Sequence, residues 1–301
     1  MKKVVAVVVT YNRLLLLKEN VDALLNQSYK SLDIMIIDNA SSDGTEEYIK
    51  GLKNKNIIYI NTGKNLGGAG GFSFGVKEAL KRKYDYAWLM DDDTIPYKDS
   101  LDKLVDGANV LKDKFSFLNS YVEWTDGNPC YMNEPRIKNS EWFKNSKYLK
   151  NNLLNVLSCT FVSVLVNLDI AEKAGIPIKE MFIYGDDHEY TERLNRYEKG
   201  YMAFESRVLH KMKVNSGFDI INVPAERISR YYYDARNRFY RAKKSGAREV
   251  IINILWYTYI KFKILFSSKD HRLKRIWVTI KGFYAGIFFN PKIEYVKRLS
   301  K

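Results

Sequence analysis

Between residues 4 and 93 the chain repeats one pattern four times: a short apolar run, then an abrupt polar break. The runs Val4–Thr10, Leu32–Asp38, Ile57–Asn61 and residues 86–90 are too short for helices, and the first is rich in β-branched residues, so they predict strands. Residues 14–26, with apolar Leu17, Val21, Leu24 and Leu25 at helical spacing, predict the first intervening helix. Residues 45–52 and 69–83 predict two more, the former entered through Ser42-Asp-Gly-Thr-Glu-Glu47 with its N-cap and acidic first-turn chemistry. Strands alternating with helices predict an α/β fold, a mixed but mostly parallel sheet with helices on both faces. Such sheets bind ligands beyond the carboxyl ends of their strands, and those ends are where the polar breaks fall. They read Thr10-Tyr-Asn-Arg13, Asp38-Asn-Ala-Ser-Ser-Asp-Gly-Thr45, Asn61-Thr-Gly-Lys-Asn-Leu-Gly-Gly-Ala-Gly-Gly71 and Asp91-Asp-Asp93.

Each break offers different chemistry. A carboxylate directly after a buried strand, such as Asp38, accepts hydrogen bonds from ribose or base donors, although a helix cap is the alternative. Six of the 17 glycines lie between Gly63 and Gly75, where missing side chains permit close backbone approach and positive φ. No G-x-x-x-x-G-K-[ST] occurs, and G-x-G-x-x-G fails at Ser73, which disfavours P-loop kinases and dinucleotide dehydrogenases. A glycine-rich turn opening a helix still presents amides to a phosphate or sugar hydroxyl. Asp91, Asp92 and Asp93 repel one another unless a cation offsets them. An extended backbone puts Asp91 and Asp93 on one side and Asp92 on the other, an oxygen-lined site suited to Mg²⁺ or Mn²⁺ bridging a diphosphate. Downstream, Met181-Phe-Ile-Tyr-Gly-Asp-Asp-His-Glu-Tyr190 reads as a strand-like run that delivers Asp186 and Asp187 to a helix beginning near Glu189. The helix dipole would keep both ionised, so either is a candidate general base. His210 ends a further short run, and its imidazole would complete a Mn²⁺ site begun by Asp93.

Charge divides the chain. Residues 227–301 hold 19 Lys and Arg against 4 Asp and Glu, so this stretch carries the whole positive excess of a chain whose formal charge is +14. The change of character near Val223-Pro224 predicts a catalytic domain over 1–226 and a basic, aromatic helical region over 227–301. That region either lies on an anionic lipid surface or packs its apolar stripe on the main domain; nucleic-acid binding is the least favoured use. Neither 250–260 nor 276–289 supplies about 18 uninterrupted apolar residues, so no membrane-spanning helix is expected. The basic start is followed by only six apolar residues before Thr10 and no small-residue cleavage site, so no signal peptide is expected. With two cysteines, Cys130 and Cys159, and no disulfide framework, a cytoplasmic protein, peripheral at the inner face of the membrane, is the expectation.

Together these motifs resemble the family 2 glycosyltransferases, inverting enzymes of the Rossmann-like GT-A fold that use nucleotide sugars. The resemblance spans about residues 4–240 and rests on Val7-Val-Val-Thr-Tyr-Asn-Arg13, Ile36-Ile-Asp-Asn-Ala-Ser-Ser-Asp-Gly-Thr45, Asn65-Leu-Gly-Gly-Ala-Gly-Gly71, Trp88-Leu-Met-Asp-Asp-Asp93 and Phe182-Ile-Tyr-Gly-Asp-Asp-His-Glu-Tyr190. The glycine segment, the triple Asp and Asp-Asp-x-Glu-Tyr look most like the galactofuranosyltransferase and rhamnosyltransferase branch, as does Tyr231-Tyr-Tyr-Asp-Ala-Arg-Asn237. The resemblance implies a nucleotide held by Thr10, Asn12, Arg13 and Asp38, with Asn65, Gly67 and Gly68 shaping the diphosphate and sugar side. It further implies Mn²⁺ or Mg²⁺ on Asp93, Asp91 and His210, with Asp92 on the donor side, and Asp187 as base with Asp186 in support. UDP-galactofuranose is the first donor implied and dTDP-rhamnose the second; the acceptor is a glycan or a polyprenyl-diphosphate-linked glycan in bacterial cell-surface polysaccharide synthesis. No Q-x-x-R-W segment is present, so processive synthesis is not implied. A sugar nucleotidyltransferase and a non-catalytic nucleotide-sugar-binding protein are the rival readings.

Overall fold

The computed structural model describes residues 1–137, 146–215, 217 and 219–298. The chain forms two compact units: one of Met1–Lys179, Asp187–Ser216 and Ile293–Lys301, the other of Glu180–Asp186 and Gly217–Lys292. The change of charge near residue 226 therefore falls inside the second unit.

The first unit is built on a sheet of β1 (Val4–Thr10), β2 (Leu32–Asp38), β3 (Ile57–Asn61), β4 (Tyr86–Asp91), β5 (Thr94–Pro96), β6 (Phe117–Glu123), β7 (Leu153–Val156), β8 (Val164–Asn167) and β9 (Gly200–His210). Its order is β3-β2-β1-β4-β8-β6-β9-β5, with β7 added on β9. The strands read from the repeating pattern form the parallel half, β3-β2-β1-β4. Beyond β4 the pairing is antiparallel except between β6 and β9, which completes a mixed sheet.

Register turns the polar breaks into one rim: Thr10 pairs with Asp38, Asp38 with Asn61, and Val9 with Asp91. The antiparallel pairing of β5 with β9 sets Thr94 opposite His210, and the Lys211 amide donates to the Asp93 carbonyl at 2.9 Å. A residue 117 positions away thereby lands beside the acidic turn.

Helices α1 (Leu14–Leu25), α2 (Thr45–Gly51), α3 (Gly67–Lys81), α4 (Ser100–Val110) and α5 (Leu168–Ala174) cover the sheet. Strand β1 is buried on both faces, which is why it is apolar without alternation. Val5, Val7 and Val9 pack with Phe72, Val76 and Ala79 of α3, whereas Val4, Ala6 and Val8 pack with Leu17, Val21 and Leu24 of α1. The glycines of α3 serve this packing more than ligand approach. A Cβ on Gly71 would lie 2.5 Å from Val9, and one on Gly75 2.2 Å from Val7. Gly67, with φ +72°, and Gly68, with open space about its Cβ position, remain at the rim.

Residues 181–185 do not form the strand-like run expected. Phe182, Tyr184 and Gly185 have φ of +64°, +69° and +79°, so the backbone coils instead of extending. Helix α6 (Asp186–Leu194) begins earlier than expected, which puts Asp186 and Asp187 in its first turn.

The second unit comprises α7 (Tyr231–Ser245), α8 (Ala247–Ser267) and α9 (Arg272–Phe288). Close contact of α7 and α9 requires glycine: a Cβ on Gly282 would lie 2.4 Å from the Tyr232 carbonyl oxygen. Helix α8 is longer than the apolar run over 250–260. It continues through Lys261 and Lys263 for 21 residues and is long and apolar enough, by length and composition, to cross a membrane. Only a minority of it is buried: Leu255, Tyr259, Phe262 and Phe266 are all more than half exposed.

Candidate active site

The centre of the site is the turn from β4 to β5. Asp91 is the last residue of β4, and Asp92 and Asp93 form the turn, so the alternation expected of an extended segment stops there. As a result Asp92 does not point away from Asp93. One Arg13 guanidinium spans both, with Nη1 2.9 Å from Asp92 Oδ1 and Nη2 2.8 Å from Asp93 Oδ2. Thr10 Oγ1 donates to the other Asp92 oxygen at 2.8 Å. Arg13 and Thr10, expected on the nucleotide, here bind the acidic turn.

Charge at this turn is divided unequally. Burial, reinforced by Asp93 and Asp92, pushes the Asp91 carboxyl up to about 8. Burial also raises Asp92, to about 7, and outweighs its contacts with Arg13 and Thr10. Asp93 is buried too, but His210 and Arg13 hold its pKa down to about 2. For His210, burial opposes the charged form, yet Asp93 raises its pKa to about 10.

His210 Nε2 lies 3.3 Å from Asp93 Oδ1, a buried oxygen with no hydrogen-bond partner among the described residues. A carboxylate oxygen and an imidazole nitrogen facing each other in this way are a donor set for Mn²⁺ or Mg²⁺. The trio expected from the motifs is only partly assembled. Among the described residues no three His, Cys, Asp or Glu side chains are grouped so as to hold a metal. Asp91 ends the strand while Asp93 lies beyond the turn, leaving Asp93 and His210 as the close pair. Two protein ligands suit a hard cation that keeps waters and takes oxygens from a diphosphate.

The other expected nucleotide residues organise the rim. Asp38 is fully buried; its oxygens accept from the Ser41 amide at 2.8 Å and the Tyr59 hydroxyl at 2.7 Å, which shapes the loop after β2. Asn12 adopts φ +52°, accepts from the Ser42 amide and donates its own amide to Ser41 Oγ, tying the loops after β1 and β2 together. Asn65 Oδ1 accepts from the Gly67 amide at 2.8 Å and closes the turn into α3.

Asp187 is partly buried, and its Oδ1 accepts from the His188 amide at 2.7 Å. Thr191 Oγ1 accepts from the Cys159 amide at 3.3 Å and donates to the Asp187 carbonyl at 2.8 Å, so the segment before β8 backs the first turn of α6. No hydrogen bond or ion pair joins Asp187 to Asp93 or His210. Glu189, by contrast, is engaged: Arg193 grips both of its oxygens at 2.8 and 2.9 Å inside the core. Asp186 belongs to the second unit.

Ahead of these carboxylates, Asn237 of α7 lies within 3.0 Å of three carbonyls of the coiled segment, those of Met181, Ile183 and Tyr184, and donates its side-chain amide to them. Sequence reasoning also missed Asn133, whose Oδ1 lies 2.8 Å from His210 Nδ1. It sits in a stretch with no motif, and no local signal marks it.

Residues 5–171 match the family model described as Glycosyl transferase family 2. The chain is 26% identical to galactofuranosyltransferase GlfT1 of Mycolicibacterium smegmatis over 304 residues, covering 92% of this chain and 95% of that protein. Among solved structures, a fragment of S. aureus TarS in complex with UDP is similar, with a TM-score of 0.54, 14% identity, and coverage of 95% of this chain and 72% of the fragment. Against a longer TarS chain the match spans 43% of that chain. Mannosyltransferase PcManGT from Pyrobaculum calidifontis, in complex with GDP-Man and Mn²⁺, gives a TM-score of 0.55 at 15% identity, with coverage of 94% of this chain and 74% of that one. At such identities the structural likeness speaks for the fold alone, which is GT-A. Built on that fold and matched by one family model over more than half its length, the chain belongs to glycosyl transferase family 2.

Proposed function

We propose that this chain is an inverting, divalent-cation-dependent hexosyltransferase. It takes a sugar from a nucleotide diphosphate donor and places it on a hydroxyl of a glycan or lipid-linked glycan in bacterial cell-surface polysaccharide synthesis. The observation that carries the proposal is the buried, unpartnered Asp93 Oδ1 facing His210 Nε2 at 3.3 Å on the carboxyl rim of the sheet. Likeness to galactofuranosyltransferases along almost the whole chain supports UDP-galactofuranose as donor, with dTDP-rhamnose the second choice. Family membership favours transfer over the nucleotidyltransferase and non-catalytic readings.

In this scheme Asp93 and His210 would hold Mn²⁺ or Mg²⁺, and Asp91, raised to about 8 without the cation, would add negative charge once the cation displaces its proton. The cation would offset charge building on the departing diphosphate oxygen. Gly67 and Gly68 give the donor close access to backbone at the entry to α3, while Asn12, Asp38 and Asn65 keep the surrounding loops in place. Asp187 accepts the proton of the acceptor hydroxyl as its oxygen bonds to C1 from the face opposite the leaving group, which inverts that carbon. Asp186 supports that first turn, and Glu189 is withheld from the role by Arg193.

Calorimetry and transfer assays test the scheme together. Asp93→Ala should abolish the EDTA-sensitive part of donor binding. Asp187→Asn should keep donor binding and lose transfer by about 10²–10⁴-fold. Donor binding by the parent that ignores EDTA removes the cation from the scheme, and an active Asp187→Asn removes the base.

The second unit supports a further element of the proposal, residence at an anionic membrane surface. Exposed Leu255, Tyr259, Phe262, Trp277 and Tyr284 are interspersed with Lys261, Lys263, Arg272, Lys274 and Lys281 on α8 and α9, the pairing of aromatic and cationic groups that suits a headgroup layer.

A further inference from the structure

The two nitrogens of His210 face different partners. Nδ1 lies 2.8 Å from Asn133 Oδ1, and Nε2 lies 3.3 Å from Asp93 Oδ1. Asn133 and His210 are both 5% exposed, so water does not compete freely for either contact. The structure turns the Asn133 carbonyl oxygen, an obligate acceptor, towards the ring. Asn133 Nδ2 donates to Thr160 Oγ1 at 2.7 Å, a contact that supports this orientation. The Asn133 amide in turn donates to the Cys130 carbonyl at 2.9 Å, and Cys130 Sγ is a weaker neighbour of Nδ1 at 3.7 Å.

An acceptor at Nδ1 demands a hydrogen on Nδ1. Without a cation, Nε2 carries a second hydrogen towards the Asp93 oxygen 3.3 Å away. A cation seated between the two takes that hydrogen's place, and with Nδ1–H kept by Asn133 the lone pair that meets it belongs to Nε2. Metal-binding histidines are oriented in this way by an acceptor on the nitrogen that does not bind the metal.

We propose that Asn133 is a positioning residue: it holds His210 as the Nδ1–H tautomer, with Nε2 presented beside Asp93 for a divalent cation, and Thr160 holds Asn133 in the orientation this requires. The inference rests on the cation-binding reading of Asp93 and His210. Thr160 directly follows Cys159, whose amide binds the Thr191 hydroxyl that backs Asp187. The segment that orients the histidine is thus continuous with the one that supports the first turn of α6.

The test uses the full chain with MnCl2 alone and with MnCl2 plus UDP. Mn²⁺ affinity is read by calorimetry and by electron paramagnetic resonance of the free ion, and folding by thermal denaturation. Asn133→Ala should weaken Mn²⁺ binding by about 10–100-fold, the usual cost of losing such a support. Asn133→Asp, which still accepts from Nδ1–H, should retain the parent's affinity or exceed it. Thr160→Val, nearly isosteric, should fall between, because the Asn133 amide is then free to turn. Long-range proton–nitrogen spectra of the chain's three histidines, recorded with MgCl2 and UDP in place of the paramagnetic ion and with His210→Gln for assignment, should show the Nδ1–H form at His210 in the parent and a mixed population in Asn133→Ala. Folded Asn133→Ala with the parent's affinity overturns the proposal, as does Asn133→Asp binding as poorly as Asn133→Ala. If Asn133→Ala does not fold, Thr160→Val with unchanged affinity and tautomer does the same. A parent that binds no Mn²⁺ with or without UDP overturns the cation site itself, and the proposal with it.

Discussion

Asn237 is the residue whose replacement should separate the geometry of the α6 entrance from the rest of the site. Its side chain is fully buried, and its Nδ2 reaches the carbonyls of Met181 at 2.9 Å, Ile183 at 3.0 Å and Tyr184 at 2.8 Å. Two N–H groups divided among three acceptors are worth a net ~1–3 kcal/mol, at ~0.5–1.5 each. They also tie down Phe182 and Tyr184, whose φ of +64° and +69° lie in the left-handed region. In Asn237→Ala the three carbonyls lose their buried donor, so stability falls by about 1–3 kcal/mol. Asn237→Asp is the sharper variant, because a carboxylate facing three carbonyls repels where the amide attracted; it should be less stable than Asn237→Ala. Urea unfolding measures the order of stability, and hydrogen exchange across residues 182–188 should accelerate in both variants. Transfer should fall because the proposed base, Asp187, follows directly in the chain, whereas Mn²⁺ binding at Asp93 and His210 should not change. An Asn237→Asp protein as stable as its parent, with unchanged exchange in that segment, refutes the reasoning.

The remaining predictions address packing, protons and lipid. Gly75→Ala should cost ~1–3 kcal/mol, since its Cβ would lie 2.2 Å from Val7, whereas Gly68→Ala, with nothing within 4 Å, should be as stable as the parent. Equal unfolding midpoints for these two variants would contradict the packing account of α3. For pH, a folded-state pKa above the unfolded value means stability that is fully present below the ordinary value and is lost as pH rises through the raised one. Asp91 at about 8, Asp92 at about 7 and His210 at about 10 all act in this direction between pH 6 and 8, while Asp93, lowered to about 2, contributes no change there. Protein in EDTA should therefore melt higher at pH 6 than at pH 8, by a margin that shrinks in Asp91→Asn; a margin unchanged by that substitution would rule out Asp91 as a source. Mn²⁺ must displace these protons, so its affinity should be greater at pH 8 than at pH 6 by calorimetry. Co-sedimentation with anionic vesicles should be strong in low salt and weaken in high salt; equal binding to neutral vesicles, or none, would count against the membrane-surface role.

Much of this was legible before any coordinates. Strands β1 to β3 follow directly from apolar runs with abrupt polar ends, and the one rim those ends form follows from parallel pairing of strands of matched register. The acidic turn announced itself because three adjacent carboxylates need an explanation. Other features misled for physical reasons. Residues 181–185 look like a strand by composition, but the carbonyls find their donor in Asn237, more than 50 residues away, and the backbone coils to meet it. The glycines of the segment after β3 look like ligand clearance, yet Gly71 and Gly75 answer to the side chains of Val9 and Val7.

By itself, then, the sequence determined the local structure and the chemistry of the rim, because hydrophobic period, turn residues and clustered charge act over a few neighbouring positions. Only the tertiary structure decided which side chains meet. Arg13 spans Asp92 and Asp93, His210 faces Asp93, and Asn133 orients that histidine, through contacts between residues about 80 or more positions apart in the first two cases and 77 in the third. Those encounters depend on the pairing of β5 with β9 and on the path of the loop after β6, and packing of distant segments leaves no periodic trace in the residues it joins.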